Sequence, residues 1–230
     1  MAAAACGQSD ELFDRGIGLF REGYLQWNAE QMELGLQLME QAPSEPGSLY
    51  WQAVARFHLV LCRDESGAKE TIRSIEETVR RNPQDAEIAM MLAVLYGRQI
   101  TEKPFRGLWL GRKIKKLRAA ALVSGPDSPR VQSLAGACWF EAPSPFGDRE
   151  LALAHLTKAA ELYEAEQSED PDVRQPRWGA TDCYRRLGEL MVERGELEQA
   201  RFYYQSALKI NPLYKPARKR LMELNDDPKK

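Results

Sequence analysis

The chain repeats itself. Gly147, Ala152, Leu156, Ala159 and Leu162 stand at the same mutual spacing as Gly195, Ala200, Tyr204, Ala207 and Ile210. In both copies a glycine precedes a run in which apolar residues recur every three or four positions, as on one face of a helix. The later copy is preceded by a second helix-period run from Thr181, with Gly195 in the turn between them and Pro212 as the stop. One such hairpin cannot bury its own apolar face, so a chain made of them must stack neighbours into a continuous core.

Weaker copies fill the rest of the chain. Ser128–Glu141 reads as the first helix of the unit that ends near Leu162, with Ala135-Gly136 and Trp139 in its key positions. Asn82-Pro83-Gln84-Asp85 stops one helix and starts another. After it, Ala89, Leu92-Ala93 and Tyr96 mark a first helix, and Pro104–Leu122 a second, closed by Gly125-Pro126. An insertion is expected around Arg98–Lys103. Upstream, Leu49–Cys62 (Trp51, Val54-Ala55, His58) pairs with Gly67–Arg81. Asp10–Gln26 with Asn28–Ala42 is the most divergent pair, matching only at Gly23, Gly35, Met39 and Ala42. No Val/Ile-rich alternating segment competes, so the expected class is all-α.

The segment Thr181–Tyr214 resembles the tetratricopeptide repeat family. Tyr184, Leu187-Gly188, Met191, Ala200, Tyr204, Ala207 and Pro212 occupy that family's W, L-G, Y, A, F, A and P positions, on a period of about 34 residues. The resemblance implies that Gly188 and Ala200 sit where the two helices of a unit cross, and that Tyr204 and Ala207 fill the space against the next unit. The expected architecture is a right-handed α-solenoid of about five helix pairs. The units fall near residues 10–46, 48–84, 86–127, 128–170 and 181–214, with a capping helix over 215–225. Residues 1–9 are expected as a disordered tail and 226–230 as a second tail. The acidic, Pro-containing stretch Glu164–Arg177 is expected to extend one helix before looping to the next.

Composition narrows the function. The 230 residues carry 32 Lys+Arg against 34 Asp+Glu, too balanced for a protein that coats polyanions. Four widely separated cysteines exclude a disulfide-stapled miniprotein or zinc ribbon, and no run is long and apolar enough for a transmembrane span. His58 and His155 lie in no metal-spaced cluster, and both read as packing or surface residues. Cys62, Cys138 and Cys183, on helices among apolar neighbours, read as small buried hydrophobes. Arg15-Gly16-Ile17-Gly18 is a lone G-x-G with no phosphate-binding context, and no nucleophile–base signature is present. Catalysis, a metal and a cofactor are therefore not expected.

Charge is locally uneven. Arg106–Arg118 holds Arg106, Arg112, Lys113, Lys115, Lys116 and Arg118 among Leu108, Trp109, Leu110, Ile114 and Leu117. An anionic membrane surface or nucleic-acid phosphates could use it. The preferred reading is an ordinary amphipathic helix whose apolar residues serve the repeat core, and nucleic acid is not the expected partner. The first fifty residues hold eight acids against Arg15 and Arg21, a contrast that could orient a partner or drive self-association and that solvated faces explain at least as well.

In the resembled family the first helix of each pair lines a concave surface that takes a peptide or partner helix. The matching positions here are Gln52, Arg56, Met90, Val94, Arg130, Phe140, Arg185 and Glu189. Arginines around an apolar centre suit a peptide with an apolar anchor and a carboxylate, which an Arg fork grips with two hydrogen bonds. The family's Lys/Asn clamp for chaperone C-termini is disfavoured, because Met90, Val94, Arg185 and Glu189 stand in its place. The expected function is thus a non-catalytic scaffold binding a protein or peptide, in the cytoplasm. An alternative rests on Met1–Ser9. Small residues before Cys6 and a polar tether after it resemble the end of a bacterial lipoprotein signal, although only five residues precede the cysteine. On that alternative Cys6 is lipidated, and the protein serves a transport or assembly complex in the periplasm or at the outer membrane.

Overall fold

A computed structural model describes residues 2–42, 47–63, 68–166 and 172–226, with the backbone alone for 2–8 and 226. The expected tail 226–230 falls outside this range except for the backbone of Asp226, and so does the side chain of Cys6. Among the described residues there are eleven α-helices and no strand. They form two compact units, residues 1–84 with 169–176, and residues 85–168 with 177–230.

The first unit contains α1 (Ala2–Gln26), α2 (Ala29–Glu40), α3 (Ser48–Arg63) and α4 (Lys69–Arg81). Residues 2–9, expected as a disordered tail, are helical instead. Four consecutive alanines have the highest helix propensity, and no proline interrupts the run into Asp10. The turn to α2 uses Trp27 at φ 54°, and Asn28 caps the new helix by accepting from the Glu30 and Gln31 N–H groups. The two helices touch backbone to backbone. A Cβ on Gly35 would lie 2.6 Å from the Phe20 nitrogen, and one on Gly16 would lie 2.9 Å from the Gly35 oxygen. Phe13, Ile17, Phe20, Met32 and Met39 close over this contact. Gly16 thus belongs to a helix crossing, which explains a glycine whose G-x-G context carried no chemistry.

His58 of α3 lies in the same interior. The rings of Phe20, Tyr24 and Phe57 surround it, and Nδ1 is 2.8 Å from the Val54 carbonyl oxygen. Burial among rings disfavours the imidazolium and lowers the pKa to about 4, despite that carbonyl. Residues 172–176 also belong to this unit. Arg174 spans Asp10 and Asp14 of α1 at 2.6 Å each, with its guanidinium 5.1 Å from the Phe13 ring centre.

The second unit comprises α5 (Ala86–Glu102), a 3-10 turn (Pro104–Arg106), α6 (Gly107–Ser124), α7 (Pro129–Glu141), α8 (Arg149–Ala165), α9 (Ala180–Glu193), α10 (Leu197–Ile210) and α11 (Lys215–Asp226). The insertion expected around Arg98–Lys103 is an unbroken continuation of α5 to Glu102. Asp85, Ser128 and Asp148 cap α5, α7 and α8 by accepting backbone N–H groups. Gly195 takes φ 77° between α9 and α10, a conformation that side chains disfavour. Helices of a pair approach closely where the repeat pattern placed small residues. A Cβ on Gly188 would meet the Tyr204 ring at 2.5 Å, and one on Gly136 would meet Leu156 at 2.6 Å. Ala152, Ala159, Ala200 and Ala207 are fully buried beside them, and Ala217 and Leu224 of α11 close the far end of that core.

Two consequences are measurable. Gly16→Ala should cost about 2 kcal/mol as overpacking against backbone. Gly18→Ala, two residues on with open space around it, should gain a few tenths to about 1 kcal/mol of helix stability. Urea midpoints at unchanged m report both, and equal effects would overturn the crossing assignment. His58 gives a pH dependence. The unfolded chain takes its proton near pH 6.5 and the folded chain only near 4, so its contribution is complete above 6.5 and disappears as pH falls to 4. The loss should reach about 3 kcal/mol, and its share of the pH slope should vanish in His58→Gln.

Candidate functional site

The first helices α5, α7 and α9 lie side by side in the second unit and share one face. Met90 and Val94 of α5, both expected to line the groove, are buried, Met90 completely. Arg130 of α7 is buried too. Its Nε donates to Glu87 at 2.9 Å, and its two terminal nitrogens grip Glu166 at 2.7 and 2.8 Å. Ser128, the α7 cap, donates its hydroxyl to the same Glu87 at 2.7 Å. Arg130 therefore ties α5, α7 and the end of α8 together. Phe140 is half-buried under the Arg149 guanidinium, 4.6 Å from its ring centre.

Arg185 and Glu189 are brought together. Arg185 Nε donates to Asp182 at 2.9 Å and Nη1 to Glu189 at 2.6 Å. Glu189 also accepts from Arg220 of α11 at 3.1 Å, and the Tyr214 hydroxyl donates to Asp182 at 2.9 Å. Further side chains extend this network beyond the positions that the repeat pattern singled out. Arg186, buried, pairs with Asp182 on its own helix and with Glu141 of α7. Burial works against the Glu141 carboxylate, but the charge and hydrogen bonds of Arg186 outweigh it and hold the pKa below the usual range. The i,i+4 spacing of Asp182 and Arg186 was visible in the sequence. The link to Glu141 depends on how α7 and α9 pack and left no sequence signal.

Gln52 and Arg56 belong to the first unit. Gln52 is buried, its amide donating to the Met39 carbonyl at 3.3 Å and the Ser48 hydroxyl at 2.9 Å. Arg56 reaches Gln52 and pairs with Glu40 of α2, and burial lowers its pKa more than Glu40 restores it. The remaining candidates for chemistry are buried or half-buried. Burial raises the Cys138 and Cys183 thiols to about 12, which leaves them protonated and weakly nucleophilic at neutral pH. His155 bonds Gln132 at 2.7 Å, its pKa lowered by burial and then by Arg118 and Lys158. Among the described residues no group of His, Cys, Asp and Glu is placed to hold a metal ion, and no helix is long and apolar enough to cross a membrane.

The basic stretch corrects one expectation. Of the apolar residues assigned to the repeat core there, only Leu110 is fully buried. Leu108 is 85% exposed and Trp109 51% exposed, with Phe105 of the preceding turn at 71%. The helical period detects which residues share a face, but it does not reveal whether another element covers that face.

No protein-family profile matches the chain, and no curated protein matches it. Among solved structures it is similar to the crystal structure of a thermophilic TPR protein of Thermus thermophilus. The likeness has a TM-score of 0.68 at 20% identity and covers 94% of this chain and 98% of that one. With the helix pairs, small-residue crossings and terminal helix described above, it shows that the chain has the all-α helical-repeat fold of a tetratricopeptide-like protein.

Proposed function

We propose that the chain is a non-catalytic scaffold that holds a protein or peptide partner against the first-helix face of its repeats. The observation that carries this reading is the network of Glu141, Asp182, Arg185, Glu189 and Arg220 on α7, α9 and α11. Its side chains are fixed by one another, yet Glu141, Asp182 and Arg220 keep 43, 31 and 48% of their side-chain surface in solvent. Charged groups already ordered before binding lose little rotamer freedom when a partner arrives. Arg220 offers donors to a partner carboxylate, and half-buried Phe140 lies beside Glu141 as a site for an apolar anchor. The enclosed His58 and the raised thiols agree with holding rather than reacting. Arg130 and Met90 support this face from within, and Arg185 and Glu189 order it, so the partner-facing set centres on Glu141, Asp182 and Arg220 with Phe140 next to them.

Selection of a displayed peptide library on the purified chain, followed by calorimetry, tests the proposal. Selected peptides should carry a carboxylate near an apolar residue. Arg220→Glu, at a half-exposed side chain that offers a donor to the partner, should weaken the best of them about tenfold or more. Helicity and thermal midpoint of the variant serve as the folding control. Peptides that bind the folded variant as well as the parent would overturn the assignment.

A further inference from the structure

The 3-10 turn and α6 form an outward surface that the peptide-binding reading does not use. From Gly107 to Ser124 the helix has no acidic residue. Leu108, Arg112, Lys115 and Ala119 follow one another along one side at helical spacing. Trp109, Lys116 and Val123 form a parallel line at successive heptads, and Val123 is 82% exposed. Exposed Phe105, Leu108 and Trp109 thus crowd the first turn, and the cations follow within about 10 Å along the axis. Lys113 lies over the Trp109 ring at 5.3 Å from its centre, and Arg118 turns inward onto Trp139. The outward charge is therefore that of Arg112, Lys113, Lys115 and Lys116.

We propose that this end of α6 is a peripheral docking site for an anionic bilayer surface. Aromatic and aliphatic side chains at the tip enter the interfacial layer, while the cations one to two turns behind meet lipid phosphates and extend their stems along the apolar zone. Charge complementarity selects this occupant. A second copy of α6 would bring cations against cations. Of the N-terminal acids that could attract it from another copy, four are already engaged, Asp10 and Asp14 by Arg174, Glu33 by Arg63 and Glu40 by Arg56. Nucleic acid would use the cations and could stack on Trp109, but it offers no apolar environment to Phe105 and Leu108. A bilayer uses both groups.

Flotation of the purified chain tests this, with phosphatidylcholine vesicles compared against vesicles containing about a third phosphatidylglycerol. The chain should float with the anionic vesicles and not with the neutral ones, and release as salt rises. Leu108→Ser with Trp109→Ser should reduce partition about tenfold, and so should Arg112→Glu with Lys116→Glu. All four side chains are exposed, so circular dichroism should show unchanged helicity. Failure to float with either vesicle, equal flotation of both variants and parent, or capture by an oligonucleotide without flotation would each overturn the proposal.

Discussion

Close approach of paired helices is the constraint on which this structure depends. An apolar stripe on one helix buries little unless its partner comes near enough for side chains to interdigitate. Here that distance is set by residues with little or no side chain, and in two different ways. At Gly188 and Gly136 the space is filled by a side chain from the partner helix, Tyr204 or Leu156, so a knob enters a hole left by the glycine. At Gly16, Gly23 and Gly35 the obstacle to any Cβ includes the partner's backbone. A flexible side chain can withdraw from an intruding methyl group. A helix backbone must move as a body, so the first pair is the less forgiving of the two.

That difference explains what was legible in the sequence. The knob-and-hole pairs leave a periodic record, because the knobs Tyr204 and Leu156 stand at the same spacing from Gly195, Ala200 and Ala207 as from Gly147, Ala152 and Ala159. Their helices were placed to within a few residues, and Ser128, Asp148 and Gly195 stand at the boundaries where capping and turn chemistry puts them. The backbone-on-backbone crossing of α1 and α2 leaves only scattered glycines, so Gly16 looked like an incidental G-x-G. Trp27 shows another limit. Its positive φ is unusual for a bulky residue, and local preference does not identify it as a turn position.

The candidate face was less legible than the fold, for an electrostatic reason. Position within a repeat identifies which side of a first helix a residue occupies, and Arg130 and Arg185 occupy the same side. Their environments nevertheless differ. Arg130 meets two carboxylates from α5 and the end of α8 and is enclosed, while Arg185 is held on its own helix by Glu189 and by the partly exposed Asp182. Removing one partner of a buried pair leaves an uncompensated charge, at a cost of about 3–5 kcal/mol. Arg130 is consequently a structural tie, and only the partly exposed members of the network are available to a partner. Sequence position cannot make that distinction, because the decisive carboxylates come from other helices.

The two surfaces differ in charge balance, and the difference has consequences for what each can bind. On α7, α9 and α11 every arginine of the network has a carboxylate partner, so the local field is small and the proposed recognition there would depend on geometry. On α6 the outward cations share their helix with no acid, so their fields add and reach about a Debye length into solution. A net charge of -2 for the whole chain hides this asymmetry, because several N-terminal acids are already held by arginines of their own unit. Exposed apolar residues beside unbalanced cations would be a liability if water were their only environment. The same combination is stable at a surface that supplies phosphate and hydrocarbon at adjacent depths, and this is why Leu108 and Trp109 carry more information than the basic residues that follow them.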